Sequence, residues 1–394
     1  MHNFFYHNPC RIIFGRGSSA RLAEQARMLG SRALLVYGSR HLRESGRLPL
    51  FLSSLAASRI KVADYSGVPA NPTFEEAAKG IRLCRKEECD LVIGIGGGSV
   101  MDTARAISAG FYFGEELRPV FYGKKRLKKR LPLILLPTLP GTGSATGHGM
   151  VLRDRQAGLK LGCGAAVLHA DCAIIDSELM SGTPIESLTA AGIDAFCHAM
   201  ELYANHSATA TTLQKRLLVS LARSIVSGGI NAAKGSPSEA YDELAWAGEL
   251  LMNGIITAGT GWVSLPLHAI EHALSGSLGN SHGAGLAFLT RGWLRCGEIP
   301  LRSPAADFFA QVFSSADLET SLPGPSPVDY FDQWLNKMAW KEPGVFREIN
   351  PAGSDEIVSR ALKQAEIWQV HGLSEKRARA IIAAAIAAPC KANC

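Results

Sequence analysis

The chain has 394 residues, is 47% hydrophobic and 19% charged, and carries a formal net charge of +6. One hydrophobic core does not grow to that length, so two domains of a soluble globular protein are expected. No apolar run is long enough to cross a bilayer, and the first residues, "MHNFFYHNPCRIIFGRG", lack the pattern of a signal peptide. The nine cysteines are odd in number, scattered and never spaced CxxC, which excludes a disulfide frame or a zinc ribbon and reads as reduced thiols in a cytoplasmic protein. The closing "CKANC" ends in Cys and is no prenylation box.

The first half alternates strand and helix signals. "RIIF" is a short apolar run, and "SARLAEQARMLG" has helical spacing with a Gly stop. "ALLVY" at 33–37 reads as a buried strand ending in "GSR", and "IKVADYSGV" as another strand. "NPTFEEAAKGIRLCRKEE" opens a helix with Asn-Pro-Thr. "LVIGI" at 91–95 is a strand running into the helix start "GGGSVMDTARAISAG". The basic run "KKRLKKR" at 124–130 has no interleaved aromatic residue and precedes the apolar strand "LPLILLPT" at 131–138, so it reads as a solvated loop. This βαβα order predicts an α/β fold with a parallel sheet and helices on both faces.

After about residue 185 strand signals nearly vanish. "SLTAAGIDAFCHAMELYAN", "TLQKRLLVSLARSIVSGG", "SEAYDELAWAGELLMNGIITAG" and "SEKRARAIIAAAIAA" are all helical by spacing, whereas the Pro-, Gly- and Ser-rich region 300–355 does not resolve into elements. The division expected is an α/β domain over 1–182 and an all-α domain over 183–394.

Two loops follow strands in the first half. "GIGGGSVMD" joins a strand to a helix start, where glycines allow backbone amides to approach a diphosphate and the helix adds its positive end. It is not the spaced GxGxxG fingerprint. "PTLPGTGS" at 137–144 adds hydroxyls and glycines. Two such loops at the C-terminal ends of parallel strands make a crevice for a dinucleotide. Strand 33–37 ends in Gly38, Ser39 and Arg40. No acid stands there to repel a 2′-phosphate, which favours NADP(H), with NAD(H) the alternative.

In the second half, Asp194 and His198 are spaced i, i+4, as are His268 and His272, and His282 follows a Gly-containing break. On a helix each pair shares one face. One carboxylate and several imidazoles suit a divalent first-row metal. Five candidates stand for about four places, and spacing leaves open which of them drops out.

These pieces, "NPT", "GGGSVMDTARAI", "PTLPGTGS", "GIDAFCHAMELY" and "HAIEHALSG…HGAGLA", resemble in order and spacing the iron-containing (group III) alcohol dehydrogenase family, above all its NADPH-dependent butanol dehydrogenase and aldehyde reductase branch. The likeness runs from "RIIFGRGS" to past residue 295. It implies the dehydroquinate synthase-like fold of that family, with a nucleotide domain followed by a helical domain. It implies Asp194, His198, His268 and His282 as ligands of a divalent metal, Fe2+ ahead of Zn2+, and His272 as a proton relay near the substrate. Gly97, Gly98 and Ser99 would hold the diphosphate, Asp102 would fix the turn, Thr138 and Thr142 would line the cofactor with Asn71 nearby, and Lys160 would lie on the nicotinamide side. A homodimer is implied as well. The chain departs from the family in Ala145, where a Glu is usual, and in His148 just beyond.

The expected reaction is hydride transfer between NADP(H) and a primary alcohol or aldehyde. Two other readings compete. A dehydroquinate synthase-like cyclase or lyase would use a bound nicotinamide without net redox change, but with a Glu and two histidines. A nucleic-acid binder would act through 124–130, and nothing else in the sequence supports it. Neither membrane nor nucleic acid is therefore expected as a partner.

Overall fold

The computed structural model describes residues 1–38, 41–235, 238–296, 303–313 and 326–387. They form two compact units, His7–Thr183 and Pro184–Cys394, with Met1–Tyr6 belonging to the second.

The first unit is built on a six-stranded sheet in the order β1-β8-β5-β4-β2-β3. Its strands are β1 (Arg11–Phe14), β2 (Arg32–Tyr37), β3 (Lys61–Tyr65), β4 (Leu91–Gly96), β5 (Leu133–Pro137) and β8 (Cys172–Ile175). Every pairing is parallel. β4, β5 and β8 are buried throughout, as is β2 after its first residue, because helices cover both faces of such a sheet and leave no position for a polar residue. Among those helices are Leu22–Leu29, Arg47–Ala57, Phe74–Lys86 and Gly98–Phe113. The third begins at a capping box in which Thr73 and Glu76 each satisfy the other's backbone N–H.

Chain order reverses between β2 and β4, since β2 leads outward to β3 and β4 leads the other way to β5. Ligands of open α/β sheets bind at such a reversal. Pairing of Tyr37 with Ile95 sets the C-terminal ends of β2 and β4 side by side.

An antiparallel hairpin, β6 (Gly149–Asp154) and β7 (Leu159–Gly164), lies outside the main sheet and was not expected from the sequence. Its glycines blur the alternation that the burial of Met150, Leu152 and Asp154 now shows. The run 124–130 is a loop: Lys124, Lys125, Arg126, Lys128 and Lys129 are exposed, while Arg130 turns inward to Asp171 at 2.5 Å and to the Val167 carbonyl at 2.8 Å.

The second unit is helical. Its long members are Ile185–His206, Thr212–Ala233, Ser238–Met252, Pro266–Leu278, His282–Arg295, Pro351–Trp368 and Glu375–Ala387. The helix expected from 238 onward stops at Met252, and the following residues form turns. Within the 300–355 region stand Pro304–Phe313 and Pro327–Lys337, whose aromatic faces close on Phe196: Phe308, Phe309, Phe313, Phe331 and Trp334 all lie within 5.8 Å of its ring, centroid to centroid.

The first six residues group with the helical unit. The His2 backbone N–H donates to the Gly259 carbonyl at 2.8 Å and the Tyr6 hydroxyl reaches the Asn253 carbonyl, so the first six residues pack on the helical unit. No described helix is long and apolar enough to cross a membrane.

Candidate metal centre and nucleotide loops

Three helices of the second unit supply the histidine cluster. Ile185–His206 carries Asp194 and His198 one turn apart, Pro266–Leu278 carries His268 and His272, and His282 is the first residue of His282–Arg295. They converge on one atom. Asp194 Oδ1 stands 3.2 Å from His198 Nδ1, 3.4 Å from His268 Nε2 and 3.5 Å from His282 Nε2. The ligand atoms of Asp194, His268 and His282 all lie within 4.8 Å of one another, and so do those of Glu271, His272 and His282.

Close approach makes this convergence possible. A Cβ on Gly283 would stand 2.0 Å from the Ala190 carbonyl oxygen; only glycine lets the His282 helix come so near the helix that bears Asp194. Gly285 leaves space for Glu271, whose Oε1 would lie 2.6 Å from a Cβ there.

Two buried carboxylates stand behind the imidazoles, and the sequence reading did not single them out. His268 Nδ1–H donates to Glu201 Oε2 at 2.5 Å, and His282 Nδ1–H donates to Glu271 Oε2. Glu201 also accepts from the backbone N–H groups of Leu267 at 2.7 Å and His268 at 3.3 Å, capping a helix whose own N-cap, Leu265, offers no side-chain bond. With Nδ1 committed as donor, each ring turns Nε2 toward Asp194. Carboxylate behind imidazole is the usual support of a metal-ligating histidine, fixing its tautomer and orientation.

The charges of the cluster are set by burial and by one another. Burial works against charge on Asp194, yet the neighbouring His198 and His282 outweigh it and hold the carboxyl well below its usual range. Burial likewise opposes a charged His268, but hydrogen bonds to Asp194 and Glu201 prevail and raise it to about 9. Burial, and then the charge of His268, lowers His198, and its buried Nδ1 makes no hydrogen bond among the described residues. A buried imidazole nitrogen that lies 3.2 Å from a convergent carboxylate without forming an aligned hydrogen bond fits a divalent metal. The His272 ring is 5.1 Å from that of His282 and edge-to-face with Trp368 at 4.8 Å.

In the first unit, Gly97 caps the Gly98–Phe113 helix with no side-chain bond, and a Cβ at Gly97 would meet nothing closer than 3.9 Å. An open, uncapped helix start suits a phosphate. Ser99 follows in the first turn, and Asp102 lies near Cys163, whose thiol is pushed up to about 12 by burial and then by Asp102. Pairing of Gly96 with Pro137, and the Thr138 N–H bond to the Gly96 carbonyl at 2.9 Å, set the second loop, with Thr138 and Thr142, beside the first. Asn71 holds a left-handed φ of 54° just before the Thr73 cap. Lys160 is buried on β7 opposite Arg153. Gly38 follows β2; Ser39 and Arg40 lie outside the described residues.

The family description "Iron-containing alcohol dehydrogenase" matches residues 9–177, and "Fe-containing alcohol dehydrogenase family, C-terminal" matches 188–314. The chain is 31% identical over 297 residues to NADH-dependent butanol dehydrogenase B of Clostridium acetobutylicum, covering 75% of each chain. It is 30% identical over 297 residues to the NADPH-dependent aldehyde reductase YqhD of Escherichia coli, covering 73% of this chain and 74% of that one. The solved structure of an NADH-dependent butanol dehydrogenase A from Thermotoga maritima superposes with a TM-score of 0.88 at 26% identity, over 98% of this chain and 99% of that one. The chain belongs to the iron-containing alcohol dehydrogenase family.

Proposed function

We propose that the protein is a metal-dependent oxidoreductase that interconverts primary alcohols and aldehydes with NADP(H). The observation that carries this is the approach of three imidazoles to Asp194 Oδ1 within 3.5 Å, two of them braced by Glu201 and Glu271. Asp194, His198, His268 and His282 would hold the metal. Iron(II), the metal of the family's name, would act there as a Lewis acid toward the substrate oxygen, while the nicotinamide supplies or accepts the hydride.

The chain's own part is positioning and proton handling. Three imidazoles in their neutral form and one carboxylate would leave a net positive centre on a divalent ion, and Glu201 and Glu271 would hold the rings in place. His272 would pass the hydroxyl proton of an alcohol outward, or return it to the product of aldehyde reduction. Gly97, Gly98 and Ser99 would hold the diphosphate through backbone amides, Asp102 would brace that turn, and Thr138, Thr142 and Asn71 would flank the dinucleotide. Lys160 would serve the nicotinamide side.

Preference for NADP(H) is supported by the β2 end, where Gly38 stands instead of an acid, and by the likeness to an aldehyde reductase described as NADPH-dependent. NADH stands in the names of other relatives, which makes cofactor choice the sharpest check. The Asp-and-three-His set argues against the cyclase reading, which calls for a Glu with two histidines. A homodimer fits the exposed apolar residues Phe4, Phe5 and Trp262 of the helical unit.

The test is anaerobic purification, elemental analysis, and oxidation of NADPH and NADH with a panel of aldehydes. Bound iron with aldehyde-dependent oxidation and a lower KM for NADPH is the expected result. Absence of turnover with every aldehyde in the iron-loaded protein overturns the redox assignment; equal or reversed preference overturns the argument from Gly38.

A further inference from the structure

Four consecutive carbonyls, Ser144 to Gly147, are each engaged by a side chain from elsewhere in the first unit. Arg105 Nη2 donates to three of them, Ser144 at 2.5 Å, Ala145 at 3.3 Å and Gly147 at 2.9 Å. The fourth, Thr146, accepts from Asn8 Nδ2 at 3.1 Å and from His169 Nδ1 at 3.3 Å. Arg105 Nε adds a bond to the Leu168 carbonyl at 3.2 Å. The arginine is fully buried.

Arg105 sits on the Gly98–Phe113 helix, whose N-terminus is the first glycine loop. The residues it grips close the second loop, and a Cβ on Gly98 would meet Ser144 Oγ at 3.4 Å. One rigid element thus offers one loop at its tip and fastens the other by a side chain two turns further on. Arginine is the residue for this task. Its planar fork presents five N–H donors in fixed directions, whereas lysine is a single mobile point.

We propose that Arg105 is a positioning residue for the dinucleotide: by clamping the 144–147 carbonyls it fixes the second loop before the cofactor arrives. The proposal rests on the nucleotide reading of the two loops. A loop ordered at folding is not ordered again at binding, so releasing the clamp shifts that cost onto cofactor affinity. Chemistry at saturation is left alone, because Arg105 touches no reacting group.

The experiment compares wild type, Arg105→Lys and Arg105→Met by amide hydrogen exchange of the cofactor-free protein, NADPH fluorescence titration and steady-state kinetics. Arg105→Met is expected to exchange faster at 141–147 but not along the Gly98–Phe113 helix. Its Kd and KM for NADPH should rise about tenfold or more, with kcat within about twofold. Arg105→Lys should lie between the two, and it carries the test if Arg105→Met does not fold. A folded variant that binds NADPH as tightly as wild type, keeps the loop protected, or loses kcat at unchanged KM overturns the proposal. Wild type that binds neither NADPH nor NADH overturns the nucleotide reading itself, a result distinct from any difference among the variants.

Discussion

His282 opens its helix with its two ring nitrogens facing different carboxylates, Glu271 behind and Asp194 in front. His268 repeats the arrangement with Glu201. Replacing either imidazole by Ala is expected to remove bound metal and activity together, whereas His272→Ala should keep the metal and lose rate; metal content measured beside kcat separates the two. Glu271→Gln keeps the size of the side chain but not its charge. Loss of such a supporting carboxylate typically weakens metal binding by about 10–100-fold, so competition with a chromogenic chelator should show a shift of that order without unfolding. Both glutamates were open to view in the sequence, Glu201 three residues after His198 and Glu271 beside His272. What hid them is that a glutamate on a helix ordinarily faces water. The burial of Glu271 depends on a glycine fourteen residues later, which no local pattern reports.

Elements explain why the cluster closes. The His282 helix and the Asp194 helix meet where Gly283 faces the Ala190 carbonyl, so Gly283→Ala is expected to push them apart, lowering metal content and Tm together. Gly344→Ala is the control, since a Cβ there meets nothing within 4 Å, and it should leave both unchanged. A normal metal content in Gly283→Ala would show that the helices reach the same geometry another way. At this scale the sequence was readable where burial is two-sided or periodic. β2, β4 and β5 are unbroken apolar runs, and the helix from Phe74 announces itself with its capping box. β8 has only four residues, and the β6–β7 hairpin mixes glycine into its pattern, so neither stood out. Pro304–Phe313 and Pro327–Lys337 are set by what Phe196 needs around it, a contact more than a hundred residues distant in sequence.

For the molecule as a whole, acid stability has an identifiable contributor in the first unit. Burial, and then the neighbouring His148, push His169 down to about 4, against about 6.5 in an unfolded chain. Between those values the unfolded chain binds the proton and the folded one does not. Stability therefore falls as pH drops from about 6.5 to about 4, and the His169 contribution is complete below that window. His169→Gln should flatten the dependence of Tm on pH across this range relative to wild type, as scanning calorimetry can measure; an unchanged slope would remove His169 as the source. The division into an α/β half and a helical half reflects a change of periodicity near residue 185, whereas the allegiance of the first six residues depends on bonds to Gly259 and Asn253 that no periodicity announces.

Those first six residues bear on any attempt to take the protein apart. A fragment starting at Pro184 would carry every histidine of the cluster, yet it would leave the Gly259 carbonyl without the amide that His2 provides. Severing the polypeptide between the halves is thus not the same as separating two self-sufficient bodies. A dissection that respects the packing would supply the leading hexapeptide in trans or graft it ahead of the helical portion.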